Sequence, residues 1–220
     1  MSEAVEAATV ILLRDAADGI ETLMLRRNSK LEFAGGMWVF PGGRVDPEDR
    51  IGLDPSDELG AARRAAVREA LEEANLAIAE EALVPFSHWT PPAIAPKRFL
   101  TWFFVASAFE GEVAIDLGEI HDQAWMRPAE AMRRRNALEI ELLPPTWVTL
   151  DRLGSFPDVA SALADARTRS PERFVTRVGK TPEGGVALWH GDAGYESGDA
   201  TLPGARHRLF MAATWRYERS

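Results

Sequence analysis

The chain has 220 residues, of which 46% are hydrophobic and 27% are charged, as is typical of one globular domain with a sizeable core. Its formal net charge of −9 disfavours a protein that binds the phosphate backbone of nucleic acids. The absence of cysteine excludes disulfides, thiol catalysis and cysteine-ligated metals. No signal peptide or membrane span is indicated, so we expect a cytoplasmic protein that binds neither nucleic acid nor membranes.

The first elements predicted are two strands joined by a tight turn. β-Branched residues are frequent in 8–13, Asp18-Gly19 is a turn signal, and 20–26 is a second apolar run. This pattern predicts a β-hairpin whose second strand ends in Arg26 and Arg27. A pair of solvated charges is one interpretation of these two arginines.

A short apolar run, 37–39, leads into Phe40-Pro41-Gly42-Gly43. A strand that ends in Pro-Gly-Gly requires unusual backbone angles and allows a metal or ligand to approach the main chain closely. The next segment, 46–57, is acidic and contains two prolines, which predicts a loop. Asp54-Pro55 near its end has the form of a helix N-cap followed by proline at the first helical position.

Residues 61–76 (AARRAAVREALEEANL) predict a helix with an acidic face. Glu69, Glu72 and Glu73 stand at i, i+3 and i+4 and would project from one side. Four apolar residues are expected to form the buried stripe opposite: Val67, Ala70, Leu71 and Ala74. Three neighbouring carboxylates repel, and Mg²⁺ would remove that repulsion because it takes oxygen ligands. The alternative is an acidic face that only contacts solvent.

Together these segments resemble the Nudix box, whose pattern is G-x5-E-x7-R-E-U-x-E-E-x-G-U. Residues 68–73 (REALEE) match its final part, with Asn75 where the family has Gly. Gly43 and Arg68 are 25 positions apart, against 14 in the family, which indicates an insertion of 11. Counted back from Arg68, the early Glu of the pattern falls at Gly60, and Glu58 is a displaced substitute.

The resemblance implies an α/β fold, a Nudix-like α/β/α sandwich with a mixed β-sheet. It also implies hydrolysis of a pyrophosphate bond in a nucleoside diphosphate linked to another group, X. The metal, Mg²⁺ or Mn²⁺, would be bound by the Gly43 carbonyl with Glu69, Glu72 and Glu73. Arg68 would orient these carboxylates by ion pairing.

Residues 83–89 predict a strand, 90–96 a proline-rich loop, and 99–106 an apolar strand covered on both faces. The long insertion and Trp89-Thr90-Pro91 resemble the coenzyme A diphosphatase branch of the family. Lys97 and Arg98 would then clamp substrate phosphates; simple charges at a strand edge are the alternative. The family resemblance assigns Arg27 and Gly42 to the substrate as well.

Residues 119–125 (EIHDQAW) resemble the E-x-x-E-x-x-W segment of the family. Glu119 is therefore a second candidate for the general base, beside Glu69. An exposed loop acid is the alternative for Glu119, and three nearby acids compete with it: Glu110, Glu112 and Asp116.

The remaining sequence predicts helices over 128–139, 143–153 and 157–167, then strands over 173–178, 186–190 and 207–215. We expect a Nudix domain with its C-terminal helices over 1–169, and a β-rich extension, 170–220, packed on the same domain. The extension could form a lid or the arm of a homodimer.

Coenzyme A or an acyl derivative is the leading substrate, followed by ADP-ribose or nucleotide sugars. A Nudix domain that has become a ligand-binding regulatory module is the alternative of a different class. The displaced Glu58 favours that alternative, and the intact 68–73 segment argues against it.

Overall fold

Residues 4–31, 33–108, 113–115 and 118–220 are described in a computed structural model of the chain. The strands are β1 (Ala4–Ala16), β2 (Gly19–Arg27), β3 (Trp38–Val39), β4 (Gly42–Arg44), β5 (Val84–Thr90), β6 (Arg98–Ser107), β7 (Ile120–Met126), β8 (Glu172–Val175), β9 (Arg177–Thr181), β10 (Gly184–Leu188), β11 (His207–Met211) and β12 (Trp215–Arg219). The helices are α1 (Glu58–Ala74), α2 (Pro128–Asn136), α3 (Pro144–Leu153) and α4 (Val159–Thr168), with short 3₁₀ helices at Pro47–Arg50 and Glu80–Ala82.

A mixed, eight-stranded sheet forms the centre of the molecule. Its order is β3-β2-β1-β6-β5-β8, with β4 paired to β1 and β7 paired to β2. β1 runs parallel to β6 and antiparallel to β2 and β4. Among the described residues, no helix is long and apolar enough to cross a membrane.

Both faces of the sheet are covered, because side chains of β1 alternate between two hydrophobic clusters. Ile11 and Leu13 pack with residues of α2, α3 and α4, whereas Val10 and Leu12 pack with α1. Successive side chains of a strand point to opposite faces, so a strand buried on both sides is continuously apolar. The predicted α/β/α sandwich with a mixed sheet is therefore confirmed.

α1 begins at Glu58, three residues before the predicted range 61–76 and three residues after the start that a cap at Asp54-Pro55 implies. Asp57 is its N-cap and accepts a hydrogen bond from the Gly60 N–H at 2.8 Å. The predicted cap at Asp54-Pro55 is wrong, because the Asp54 carboxylate instead accepts bonds from the Ser56 N–H and hydroxyl in a local turn. Asn75 ends the helix in the left-handed conformation, with φ of 56°.

The buried stripe of α1 is rotated relative to the prediction. Its buried residues are mostly alanines, and they include Glu73, whereas Leu71 is 49% exposed. Alanines allow the helix to lie close to β1 and β6, and this close packing places the Glu73 carboxylate against the sheet. Glu69, Glu72 and Glu73 still project from one side of α1, but that side is buried at Glu73.

The C-terminal strands lie in two sheets. β8 adds to the main sheet, parallel to β5, while β9 to β12 form a separate antiparallel sheet in the order β12-β11-β10-β9. The single strands predicted over 173–178 and 207–215 are wrong, because each range spans parts of two strands. The extension contacts the main sheet through Trp89, whose ring stacks on Phe174 with centroids 3.8 Å apart.

Candidate active site

Gly42 and Gly43 form most of β4, where the main chain passes very close to its neighbours. Gly42 pairs with Thr9 and has a φ of 157°, and a methyl group on it would overlap the Ala8 carbonyl and the Thr9 backbone. A methyl group on Gly43 would overlap the carboxylate of Glu69. Only glycine at position 42 allows β4 to approach β1 this closely, as the Pro-Gly-Gly pattern predicts, whereas a side chain at position 43 would require the Glu69 carboxylate to move.

Glu73 is a buried carboxylate beside this glycine segment, with only 4% of its surface exposed. The Gly42 N–H donates to its Oε2 at 2.9 Å, and the Arg27 Nη1 donates to its Oε1 at 3.3 Å. Burial raises the pKa of Glu73 to about 7, although these two partners lower it. The site therefore holds a carboxylate that is only partly compensated.

Glu69 lies one turn before Glu73 and faces Gly43. Its Oε1 accepts a hydrogen bond from Arg68 Nη1 at 2.9 Å. Burial is the main cause that raises the pKa of Glu69, and the charges of Glu72 and Glu119 raise it further. Glu69 and Glu73 thus have the same electrostatic character, with the charged form disfavoured by burial and by like charges nearby.

Arg68 joins α1 to the inserted segment. Its Nε and Nη2 donate to the two carboxylate oxygens of Asp49 at 3.3 and 3.0 Å, and Nη2 also donates to the Arg44 carbonyl at 2.9 Å. The same guanidinium contacts Glu69 and, at 3.1 Å, Glu72. Arg68 therefore links the insertion, the strand after the glycines and two of the candidate ligands.

Asp49 is a site residue that the sequence reasoning missed. It is buried, accepts the Asp46 N–H at 2.9 Å, and forms the ion pair with Arg68 that holds the 3₁₀ helix against α1. Asp49 stands six positions after Gly43, where the family pattern has its early Glu. Counting forward from Gly43 would have found it.

Glu58, the substitute inferred from the sequence, is misassigned. It is the first residue of α1, ten positions before Arg68, and its charge acts on His88 of β5. Asp49 instead occupies the place beside Arg68. The insertion therefore lies between the early acid and the helix, and does not displace the early acid.

The other two candidate carboxylates are more exposed, each with 58% of its side chain accessible. Glu72 pairs with Arg68, and Glu119 accepts a bond from Arg27 Nη2 at 3.3 Å. The structure thus brings Glu119 next to Glu73 through a shared arginine. The competing acids Glu110, Glu112 and Asp116 lie outside the described residues.

The predicted substrate-binding residues do not form one group. The guanidinium of Arg27 points to Glu73 and Glu119, and Gly42 directs its N–H to Glu73. Arg98 pairs with Ala4 of β1, whereas Gly43 pairs with Ala8 of the same strand. Four residues of strand separate these positions, or about 13 Å, so Lys97 and Arg98 lie away from the glutamates.

The donors present are oxygens, which suit Mg²⁺ or Mn²⁺. In the described part of the chain, no three acidic or histidine side chains already converge on one point. Glu72 and Glu119 are exposed, whereas Glu69 and Glu73 lie against the glycines. Burial raises the pKa of both Glu69 and Glu73, and a nearby cation would favour the charged form of each. The residue set therefore fits a hard divalent cation.

Comparison with known proteins gives matches over most of the chain. A NUDIX domain family model matches residues 4–153. A Caenorhabditis elegans protein named nudix hydrolase 7 is 29% identical over 190 residues, covering 69% of this chain and 61% of that protein. The chain thus spans about three fifths of that relative's length.

Solved structures show a similar fold. The NUDIX hydrolase from Alicyclobacillus acidocaldarius superposes with a TM-score of 0.66 at 23% identity, covering 74% of this chain and 97% of that one. The NUDIX domain of Shewanella oneidensis NrtR, complexed with ADP ribose, gives a TM-score of 0.51 at 14% identity, covering 69% and 87%. At these identities the likeness concerns the fold alone.

Proposed function

Since this chain belongs to the Nudix hydrolase family, we propose that it hydrolyses the pyrophosphate bond of coenzyme A or an acyl-coenzyme A. The family generally acts on nucleoside diphosphate derivatives with a divalent metal ion. The choice of coenzyme A rests on features of this chain, which are the long insertion, Trp89-Thr90-Pro91 and the two basic residues that open β6.

One observation carries the proposal: Glu73 is held as a buried carboxylate against Gly42, next to Glu69 against Gly43. A buried carboxylate without full compensation destabilises a protein. Two such groups beside a glycine segment are therefore retained for chemistry, since perturbed pKa values cluster at functional sites.

The carbonyl of Gly43 with Glu69, Glu72 and Glu73 would hold Mg²⁺ or Mn²⁺. When bound, the metal neutralises the diphosphate and lowers the pKa of a water molecule. Arg68 keeps the Glu69 carboxylate in place through its 2.9 Å bond, while Asp49 fixes Arg68 from the other side.

Glu69 or Glu119 would accept the proton of the attacking water. Glu69 lies against Gly43, one turn of α1 before Glu73. Glu119 is more accessible and lies beside Arg27. The water oxygen forms a bond to one phosphorus in line, the bond from that phosphorus to the bridging oxygen breaks, and the other phosphate leaves with the bridging oxygen.

The distance of Lys97 and Arg98 from the glycine segment favours a long substrate with an extra phosphate. Lys97 and Arg98 lie about 13 Å along β1 from the glycine segment. Coenzyme A carries a third phosphate on its ribose in addition to the diphosphate. ADP-ribose and nucleotide sugars, which are the alternative substrates, lack this third phosphate.

A ligand-binding module without catalysis is the second candidate. The observation that favours it is that the acidic side chains of the described residues do not converge on one point. The Asp49–Arg68 pair argues for the enzyme, because the Arg68 guanidinium makes five contacts and one of them holds the Glu69 carboxylate.

A panel of coenzyme A, acetyl-coenzyme A, ADP-ribose and a nucleotide sugar, each with Mg²⁺, Mn²⁺ or EDTA, tests the proposal. We expect 3′,5′-ADP and phosphopantetheine from coenzyme A with metal and neither product in EDTA. E73Q should lower kcat by about 100- to 1,000-fold with an unchanged circular dichroism spectrum. E81Q, an exposed glutamate beyond α1, is the matched control. Binding of these compounds with no product would support the non-catalytic module.

A further inference from the structure

The guanidinium of Arg27 lies between carboxylates of two elements that are far apart in the sequence. Nη1 donates to Glu73 of α1 at 3.3 Å, and Nη2 donates to Glu119, just before β7, at 3.3 Å. Only 18% of the Arg27 side chain is exposed. The arginine is thus largely enclosed and has its two terminal nitrogens on different acids.

The end of β2 positions both the Arg27 side chain and the Glu119 backbone. The pairing of β2 with β7 is irregular between Arg26 and Arg27, and such a bulge redirects a side chain. The next residue, Asn28, fixes the other side: its N–H donates to the Glu119 carbonyl at 2.7 Å, and its side-chain amide donates to the Gly118 carbonyl at 3.0 Å. The backbone of Glu119 is therefore tied to the same strand end that carries Arg27.

On the basis of the proposed function, we infer that Arg27 is a positioning residue that holds Glu73 and Glu119 next to each other, rather than a clamp on the substrate phosphates. The negative charges of Glu73 and Glu119 repel each other, and the positive charge of Arg27 between them removes this repulsion. A planar guanidinium can donate to two carboxylates at once from fixed directions.

Replacing Arg27 by lysine would distinguish the positioning of the carboxylates from a clamp on the substrate phosphates. Its ammonium keeps the positive charge but lacks the planar fork, so it cannot reproduce two directed bonds to separate acids. A phosphate clamp, by contrast, mainly needs charge, and a lysine would retain much of it. R27K should therefore fail in the positioning role and succeed in the clamp role.

The kinetic test compares R27Q, R27K, E119Q and R27Q/E119Q with the unmodified chain on coenzyme A and Mg²⁺. We expect R27Q and R27K each to lower kcat by about 10- to 100-fold while KM stays within about twofold. The double variant should be no slower than the slower single variant, because Arg27 acts through Glu119. A large rise in KM with kcat retained and restored by R27K, or additive losses in the double variant, would overturn the inference.

R26Q is the matched control, since it removes the same charge from the neighbouring residue. Arg26 is exposed and lines a cavity of about 230 Å³ with Trp38 and Asp122. We expect R26Q to leave kcat and KM unchanged. An equal loss of kcat in R26Q would show that net charge, and not the position of Arg27, causes the effect.

A second test needs no catalysis. Urea unfolding in EDTA is measured for R27Q, E73Q and R27Q/E73Q, which form a double-mutant cycle. We expect the two changes to be non-additive, since the pair is in contact without substrate. Additivity would overturn the inference. If the unmodified chain hydrolyses nothing, the proposed function fails while this cycle still decides whether Arg27 holds Glu73.

Discussion

Among the buried carboxylates of the described residues, Asp192 and Glu73 differ most in how their charge is compensated. In the loop between β10 and β11, burial alone raises the pKa of Asp192, but bonds from Arg208 and from two backbone N–H groups outweigh it and lower the pKa to about 2. Beside Gly42, burial prevails and raises the pKa of Glu73 to about 7. Both side chains are almost completely enclosed, so burial alone does not explain the difference.

The number and geometry of partners explain it. Arg208 donates to both oxygens of Asp192 at 2.7 and 2.6 Å, and the N–H groups of His207 and Gly194 complete its shell. Glu73 has one N–H partner and a longer contact to Arg27. A fully paired buried charge organises the fold, whereas an incompletely paired one is available to a ligand.

The largest expected effect on stability comes from breaking the complete pair. D192N leaves the buried Arg208 without its counter-charge, and we expect a loss of about 3–5 kcal/mol in the free energy of unfolding. Urea unfolding at pH 7 measures it. D199N, at an exposed aspartate of the same loop, should change stability by less than about 0.5 kcal/mol. Equal effects of the two variants would refute the contrast drawn above.

The second prediction concerns pH in EDTA. Because the pKa of Glu73 is raised from 4.5 to about 7, the folded protein binds this proton more tightly than the unfolded chain does. The stability contributed by the protonated group is complete below pH 4.5 and is lost as pH rises through 7. The expected loss is about 3 kcal/mol as an upper limit.

Comparison with E73Q isolates this effect, because Gln cannot titrate and still accepts the Gly42 N–H. The stability difference between E73Q and the unmodified chain should grow in favour of E73Q from pH 5 to pH 8. Urea unfolding at four pH values in that range provides the measurement. A difference that does not change with pH would mean that Glu73 has an ordinary pKa.

The smallest effect on activity is expected for Asp49, which acts on the glutamates through Arg68. D49N removes the ion pair that anchors Arg68, so we expect kcat to fall by about tenfold with KM unchanged. D49E, which restores the residue type of the family pattern, should recover part of the loss. E48Q, at an exposed neighbour, serves as the control, and a loss of kcat in E48Q equal to that in D49N would remove the role of Asp49.

Local features of the site could be predicted from the sequence. The Pro-Gly-Gly segment dictates close backbone approach, and the spacing of Glu69 and Glu72 requires only a helix. The burial of Glu73 could not be predicted, because the rotation of α1 about its axis depends on how its alanines pack against β1 and β6. The apolar Leu71 indicated a different rotation.

Features that depend on contacts between distant parts of the sequence could not be predicted either. The direction of Arg27 depends on an irregular pairing with β7, a strand that lies about a hundred positions later in the chain. Asp49 was missed because the count began at Arg68 and crossed the insertion. A count from Gly43 reaches Asp49 because the insertion lies after the early acid, which the sequence alone does not show.

Anomalous diffraction from crystals soaked in Mn²⁺ and coenzyme A tests the central claim most directly. The proposed site predicts a metal peak in contact with the Gly43 carbonyl and the carboxylates of Glu69 and Glu73, with the diphosphate on its open side. A fully occupied substrate with no metal peak at these three residues, or a metal bound elsewhere on the chain, would contradict it.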